Sequence, residues 1–198
     1  MKHIKLFENF DNKSIHMICL EYNINKYKIN TDGSVDVNDN VDLSNKKLKQ
    51  IPIKFGKVKG WFDCSGNELT NLVNGPLYIG GSYFCNNNNL SDFEGSPITI
   101  GANFICDDNP LESLIGLVTE VKPYNHFDMN GKVKIIYEIL KDNLEYINNF
   151  YDFNILTDLK TNLPKLNLKR LNRFIELYDL EELSKDKLFE LKNYYNVI

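Results

Sequence analysis

Residues 59–79, 80–100 and 101–118 read KGWFDCSGNELTNLVNGPLYI, GGSYFCNNNNLSDFEGSPITI and GANFICDDNPLESLIGLV. Set one above another, they repeat at one constant spacing: Phe62, Tyr83 and Phe104, then Cys64, Cys85 and Cys106, then Asn67, Asn88 and Asn109. Leu69, Leu90 and Leu111 follow, and then Leu72, Phe93 and Leu114. Several positions recurring together at one period mark a solenoid, in which each coil stacks on the next because none can bury its apolar side alone. One period earlier, Val41, Leu43, Leu48 and Ile51 keep the register, so the array is expected to have about four turns before it fades near Val118. Lys46 stands where the later copies carry Asn, which marks the first copy as an irregular opening turn.

The fourth and sixth positions of each copy point the same way from a short strand, because side chains alternate with period 2. Stacking such strands makes a continuous apolar column inside the coil. The repeated Asn can then bond backbone groups left over where the strand turns away. Three of the four cysteines, Cys64, Cys85 and Cys106, occupy inward positions, where a thiol behaves as a small hydrophobe; Cys19 lies in an amphipathic stretch. No CxxC spacing occurs, and His3, His16 and His126 share no ligand spacing, so no metal is expected. The adjacent acids Asp107/Asp108 and Glu181/Glu182 point apart, which does not suit paired acid–base chemistry. Gly60, Gly80 and Gly81 lack the Lys and helix of a phosphate loop and read as backbone geometry. Neither catalysis nor a cofactor is expected.

Each copy approximates LxxLxLxxNxL and resembles the leucine-rich repeat family over residues 38–118. The first position departs from that pattern, with Lys59, Gly80 or Gly101 in place of the usual Leu. Pro76 and Pro97 give the return segment a short, nonhelical character, as in bacterial-type repeats. The resemblance implies a concave sheet lined by the third, fifth and seventh positions. These are Asn40, Asp42 and Ser44; Trp61, Asp63 and Ser65; Ser82, Phe84 and Asn86; Asn103, Ile105 and Asp107. Alternation would leave all of them polar, and Trp61, Phe84 and Ile105 depart from it. The expected partner-binding set is therefore this apolar trio bordered by Asp42, Asp63, Asn86 and Asp107, since aromatics ringed by polar groups are common interface hot spots. Burial of the same residues under the N-terminal arm or the C-terminal tail is the competing expectation.

The leader MKHIKLFENF, the stretch YKINTDGSVDVNDNVDLSNKKL and the form FxCxxNxLxxL followed by Gly and Pro together resemble short leucine-rich-repeat proteins of large tailed bacteriophages. The leader is also similar to the amino-terminal tag of phage head-internal proteins. That group implies no established activity. Some bacterial leucine-rich-repeat effectors carry a helical ubiquitin ligase domain that acts through a cysteine, but this chain has no Cys after Cys106.

The 198 residues are 42% hydrophobic with a net charge of −4, enough for one repeat body with flanking caps. The expected organisation is α/β: a leader, helix and hairpin cap over 1–40, a leucine-rich-repeat solenoid over 41–118 and a helical region over 119–198. In the first part, Ile15, Ile18, Cys19 and Tyr22 share a helical face, and strands at 27–29 and 35–37 flank a Thr-Asp-Gly-Ser turn. In the last, helices are expected from near Asn130 to Ile147, after Asn167 and after Ser184. From Trp61 to Thr119 there is no Lys or Arg, while Asp63, Glu68, Asp92, Glu94, Asp107, Asp108 and Glu112 supply acids. Such a surface suits a basic protein partner and not nucleic acid, which binds through cations set against phosphates. No apolar run reaches the length of a membrane span, and the N-terminus has no hydrophobic stretch like a secretion signal, which leads to a cytoplasmic expectation, in the host if the chain is phage-encoded. The functional expectation is a non-enzymatic binding module that engages or inhibits a host protein, such as a defence factor. A packaged virion protein and a binder of a small ligand such as a nucleotide signal are the alternatives.

Overall fold

The computed structural model describes residues 12–117, 120–121, 127–128, 136–137, 139–140, 150, 152–157 and 164–198. Helix α1 (Asn12–Glu21) buries Ile15 and Cys19 and half-buries Ile18 and Tyr22, the face that the sequence spacing predicts. Strands β1 (Tyr27–Ile29) and β2 (Val35–Val37) form the expected antiparallel hairpin, with Tyr27 opposite Val37 and Ile29 opposite Val35. Its turn places Gly33 at φ +77°, in the left-handed region that glycine adopts without strain. The Asp32 carboxylate accepts from the Ser34 N–H at 3.1 Å and the Ser34 hydroxyl at 2.6 Å, and pairs with Lys54 at 2.7 Å.

From here the chain coils through two sheets in alternation, a β-solenoid inside a mixed α/β fold. The first sheet continues from β2 through β4 (Phe55–Val58), β6 (Tyr78–Ile79), β8 (Thr99–Ile100) and β10 (Glu120–Val121), all parallel. The second runs β3 (Val41–Asp42), β5 (Phe62–Asp63), β7 (Tyr83–Phe84), β9 (Phe104–Ile105) and β11 (Phe127–Asp128), also parallel. Val41, Phe62, Tyr83 and Phe104 lie in direct register, so the four copies bound three complete circuits of one repeat each. The about four turns expected from sequence counts copies; the stack they make has about three. Both sheets gain a strand beyond Val118; β10 keeps the repeat spacing from β8, and the step from Phe104 to Phe127 in the second sheet is longer than the period, so the strand at Phe127 falls out of the pattern.

The interior is the apolar column that the repeat requires. Phe62, Tyr83 and Phe104 are fully buried and stack coil on coil, with ring centroids 5.7 and 5.4 Å apart, and Phe55 meets Phe62 edge-on at 5.1 Å. Each such pair contributes about 0.5–1.5 kcal/mol beyond area burial. Cys64, Cys85 and Cys106 are buried beside them as thiols. Burial pushes the Cys64 thiol up to about 12 and raises Cys85 well above its ordinary value. The thiolate is the reactive form, so no cysteine in the column is expected to react with a disulfide reagent until the protein unfolds. Thiol titration with and without denaturant checks this; fast labelling of Cys64 or Cys85 in the native protein would mean that the coil opens locally.

The repeated asparagines hold successive coils together. Asn67 donates from Nδ2 to the carbonyls of Leu43 at 2.8 Å and Cys64 at 2.9 Å, and its Oδ1 accepts from the N–H groups of Lys46 and Leu48. Asn88 repeats the arrangement on Cys64, Cys85 and Leu69, and Asn109 repeats it on Cys85, Cys106 and Leu90. Each side chain thus bonds its own coil and the preceding one. Glycine at the first repeat position has an equally direct cause: a Cβ on Gly101 would collide with the Gly80 carbonyl, and one on Gly80 with the Lys59 carbonyl.

In the C-terminal region, helix α2 (Leu168–Leu177) is capped by Asn167, which accepts from the Arg170 N–H, and α3 (Lys185–Tyr194) by Ser184, which accepts from the Lys187 N–H. Both starts match the sequence expectation. Leu171, Phe174 and Ile175 are buried, Leu168 and Tyr178 are half-buried, and Phe150 and Phe153 meet Phe174 edge-on at 5.5 and 5.4 Å. In α3, Leu191 is buried and Phe189 is 70% exposed, and Tyr195 just beyond the helix is buried. Of the helix expected from near Asn130 to Ile147, residues 136–137 and 139–140 are helical, with Ile136 and Leu140 buried; the rest lies outside the described residues. The region is not purely helical. Strands β12 (Leu156–Thr157), β13 (Lys165–Leu166) and β14 (Asn196–Val197) form a third sheet, antiparallel then parallel. Two-residue strands carry no alternation to read, and their pairing joins segments far apart in the chain.

Candidate protein-binding face

Pairing in the second sheet sets Asp42, Asp63, Phe84, Ile105 and Asp128 in one row across five strands. Their neighbours in sequence, from Val41 to Phe104, are buried, so the row lies on the face turned away from the core wherever the side chains are described. Phe84 and Ile105 stand directly opposite one another on adjacent strands, and both are half-buried. Trp61 precedes β5 and is half-buried; its N–H donates to Asn40 Oδ1 at 3.0 Å, and its carbonyl accepts from the Val41 N–H at 3.0 Å. The backbone register brings Phe84 and Ile105 together and sets Trp61 diagonally from Phe84, on the neighbouring strand. All three fall between core and full exposure.

The acids beside them are anchored locally. Asp42 Oδ1 accepts from the Ser44 hydroxyl at 2.7 Å and N–H at 3.0 Å, and Asp63 Oδ1 accepts from the Ser65 hydroxyl at 2.6 Å and N–H at 2.9 Å. The Ser44 bonds hold the Asp42 carboxyl below the usual carboxylate range, so it stays charged in mild acid. Asp42 and Asp63 face each other in register, an arrangement of like charges that a sheet tolerates at a cost. Asn86 and Asp107 are half-buried in the next row, where the Asn86 carbonyl accepts from Gly66 and the Asp107 carbonyl from Asn87, both at 3.0 Å.

The more exposed apolar side chains lie elsewhere. Leu77, Tyr78 and Ile98, at the first sheet, are 46%, 42% and 39% exposed, and Lys57 Nζ sits 5.5 Å from the centre of the Tyr78 ring. Sequence reasoning took from Pro76 and Pro97 only that this return segment is short and nonhelical; the signal it passed over was Leu77 and Ile98, each directly after one of those prolines. Among the described residues, no group of three or more His, Cys, Asp or Glu side chains is placed to hold a metal ion, and no helix is long and apolar enough to cross a membrane. No protein-family model, curated protein or solved structure matches the chain.

Proposed function

We propose that the chain is a non-enzymatic interaction module of the leucine-rich-repeat kind, encoded by a bacteriophage, that engages a basic surface on a host protein through the outer face of its second sheet. The observation that carries this reading is the Phe84–Ile105 pair, two apolar side chains in register and partly open to solvent in a row that otherwise carries aspartates. Apolar anchors within a charged border supply affinity at the centre and discrimination at the rim. Helix α1 and the β1–β2 hairpin act as the N-terminal cap, and the C-terminal region covers the other end, as solenoid ends require.

Trp61→Ala and Phe84→Ala are expected to leave the melting temperature within a few degrees of wild type and to abolish capture of the basic host partner. The check pairs thermal melts with affinity capture from bacterial lysate and mass spectrometry of what is retained. Unfolding of either variant would assign the side chain to the core and end the binding-face reading. Capture lost on neutralising Asp42, Asp63 and Asp107 but kept in Trp61→Ala would point to a purely electrostatic contact.

A further inference from the structure

Helices α2 and α3 and the turn between them enclose a cleft of about 600 Å³, within the range of natural ligand and side-chain pockets. Leu168, Leu180, Leu183 and Leu188 line it as half-buried apolar side chains, together with the buried Ile175. Glu176, Asp179, Glu182 and Asn172 also line it, and among the described residues that line it there is no Lys, Arg or His.

Two of the carboxylates, Glu176 and Asp179, sit where local physics disfavours them. Helix α2 ends in a Schellman arrangement: the Leu180 N–H reaches the Ile175 carbonyl at 2.9 Å, and the Asp179 N–H reaches that of Glu176 at 3.4 Å. The residue at the turning point is left-handed, and glycine is favoured there; this chain has Asp179 at φ +52°. The negative end of a helix dipole also favours cations, yet the last turn of α2 has no basic residue and carries Glu176, with Asp179 just beyond it; Glu181 and Glu182 stand before the Ser184 cap of α3, where the dipole favours acids. Glu176 and Asp179 thus cost local stability beside a leucine-lined cleft.

We propose that this cleft is a second docking site, for a peptide segment of a partner protein that presents a row of apolar side chains flanked by Lys or Arg. The leucine-lined walls take the apolar row, and Glu176, Asp179 and Glu182 meet the cations at the rim. The same carboxylates repel phosphate, so a nucleotide is the wrong occupant. This site is separate from the face carrying Trp61 and Phe84, and variants there leave it untouched.

The test uses the full-length protein and a fluorescent amphipathic peptide built from leucine and lysine at helical spacing, with a leucine–glutamate peptide as counterpart, read by anisotropy at physiological salt. Saturable one-to-one binding of the lysine peptide alone is expected, weakened about tenfold by Leu183→Asp. That variant adds a negative charge, so diffuse attraction to an acidic protein would strengthen while docking in the cleft weakens. Asp179→Gly is expected to raise the melting temperature by about 2–4 °C, since it relieves the left-handed aspartate, and to weaken the peptide several-fold. Equal or tighter binding to Leu183→Asp, equal binding of the glutamate peptide, or no saturation would overturn the proposal. So would a wild-type dimer that Leu183→Asp dissociates, which would make a second copy the occupant.

Discussion

Cys85→Asp is expected to abolish cooperative unfolding altogether, leaving a chain with no thermal transition and little near-ultraviolet dichroism. Cys85 is fully buried at the centre of the stack, between coils that present Cys64 and Cys106 at the same position. A carboxylate there would meet thiols, aromatic rings and aliphatic side chains, with no cation in its coil or the next, because no Lys or Arg occurs from Trp61 to Thr119. Burying an unpaired charge, or the proton needed to neutralise it, costs several kcal/mol, against a whole-domain stability of about 5–15 kcal/mol. In a solenoid the damage spreads, since each coil is stabilised chiefly by its neighbours. Cys85→Ala removes only the sulfur and is expected to cost about 1 kcal/mol and to keep a sharp melt. A native-like transition in Cys85→Asp would mean that the column is hydrated.

Asn88→Leu comes next in size, with an expected loss of about 2–4 kcal/mol in urea denaturation, because one buried backbone N–H loses its acceptor, at about 1–3 kcal/mol, and two buried carbonyls each lose one of two donors. The substitution keeps the number of side-chain heavy atoms, so the loss does not come from a cavity. The Leu69 N–H loses its acceptor, while the Cys64 carbonyl keeps Asn67 and the Cys85 carbonyl keeps Asn109 as its remaining donor. Asn88→Asp would satisfy the N–H but offer nothing to the two carbonyls, and is expected to be no better. Asn86→Ala, on the outer face of the same coil, is expected to change stability by less than about 0.5 kcal/mol. Equal effects at the two positions would show that the asparagine column is not what holds the coils in register. The first copy manages with Lys46 because the Asn67 amide reaches back to the Leu43 carbonyl and its oxygen accepts from Lys46 and Leu48.

The parts of this fold legible beforehand are those that recur. A position that meets the same environment once in every coil shows it three times over, as Cys64, Cys85 and Cys106 do, and the asparagine bonds could be anticipated because every coil leaves the same backbone groups over. The helix starts at Asn167 and Ser184 were equally legible, since a cap is settled within one turn of chain. Trp61, Phe84 and Ile105 stood out as breaks in alternation, and the strand register shows which of them are neighbours. What neither recurred nor was settled within a few neighbouring residues was not read. The longer step from Phe104 to Phe127 hid the last strand, and β12 to β14 join two-residue segments with no pattern of their own.

By itself, then, the amino-acid sequence determined the period, the inward columns, the asparagine ladder and the absence of cations along the coil, because each is a constraint repeated locally along the chain. Tertiary structure alone decided how far each outward side chain is exposed, that Leu77, Tyr78 and Ile98 are more open than Trp61, and that α2 and α3 leave a leucine-lined acidic cleft between them. Exposure and concavity are set by what distant segments place around a residue, and that sum is formed only when the chain has folded.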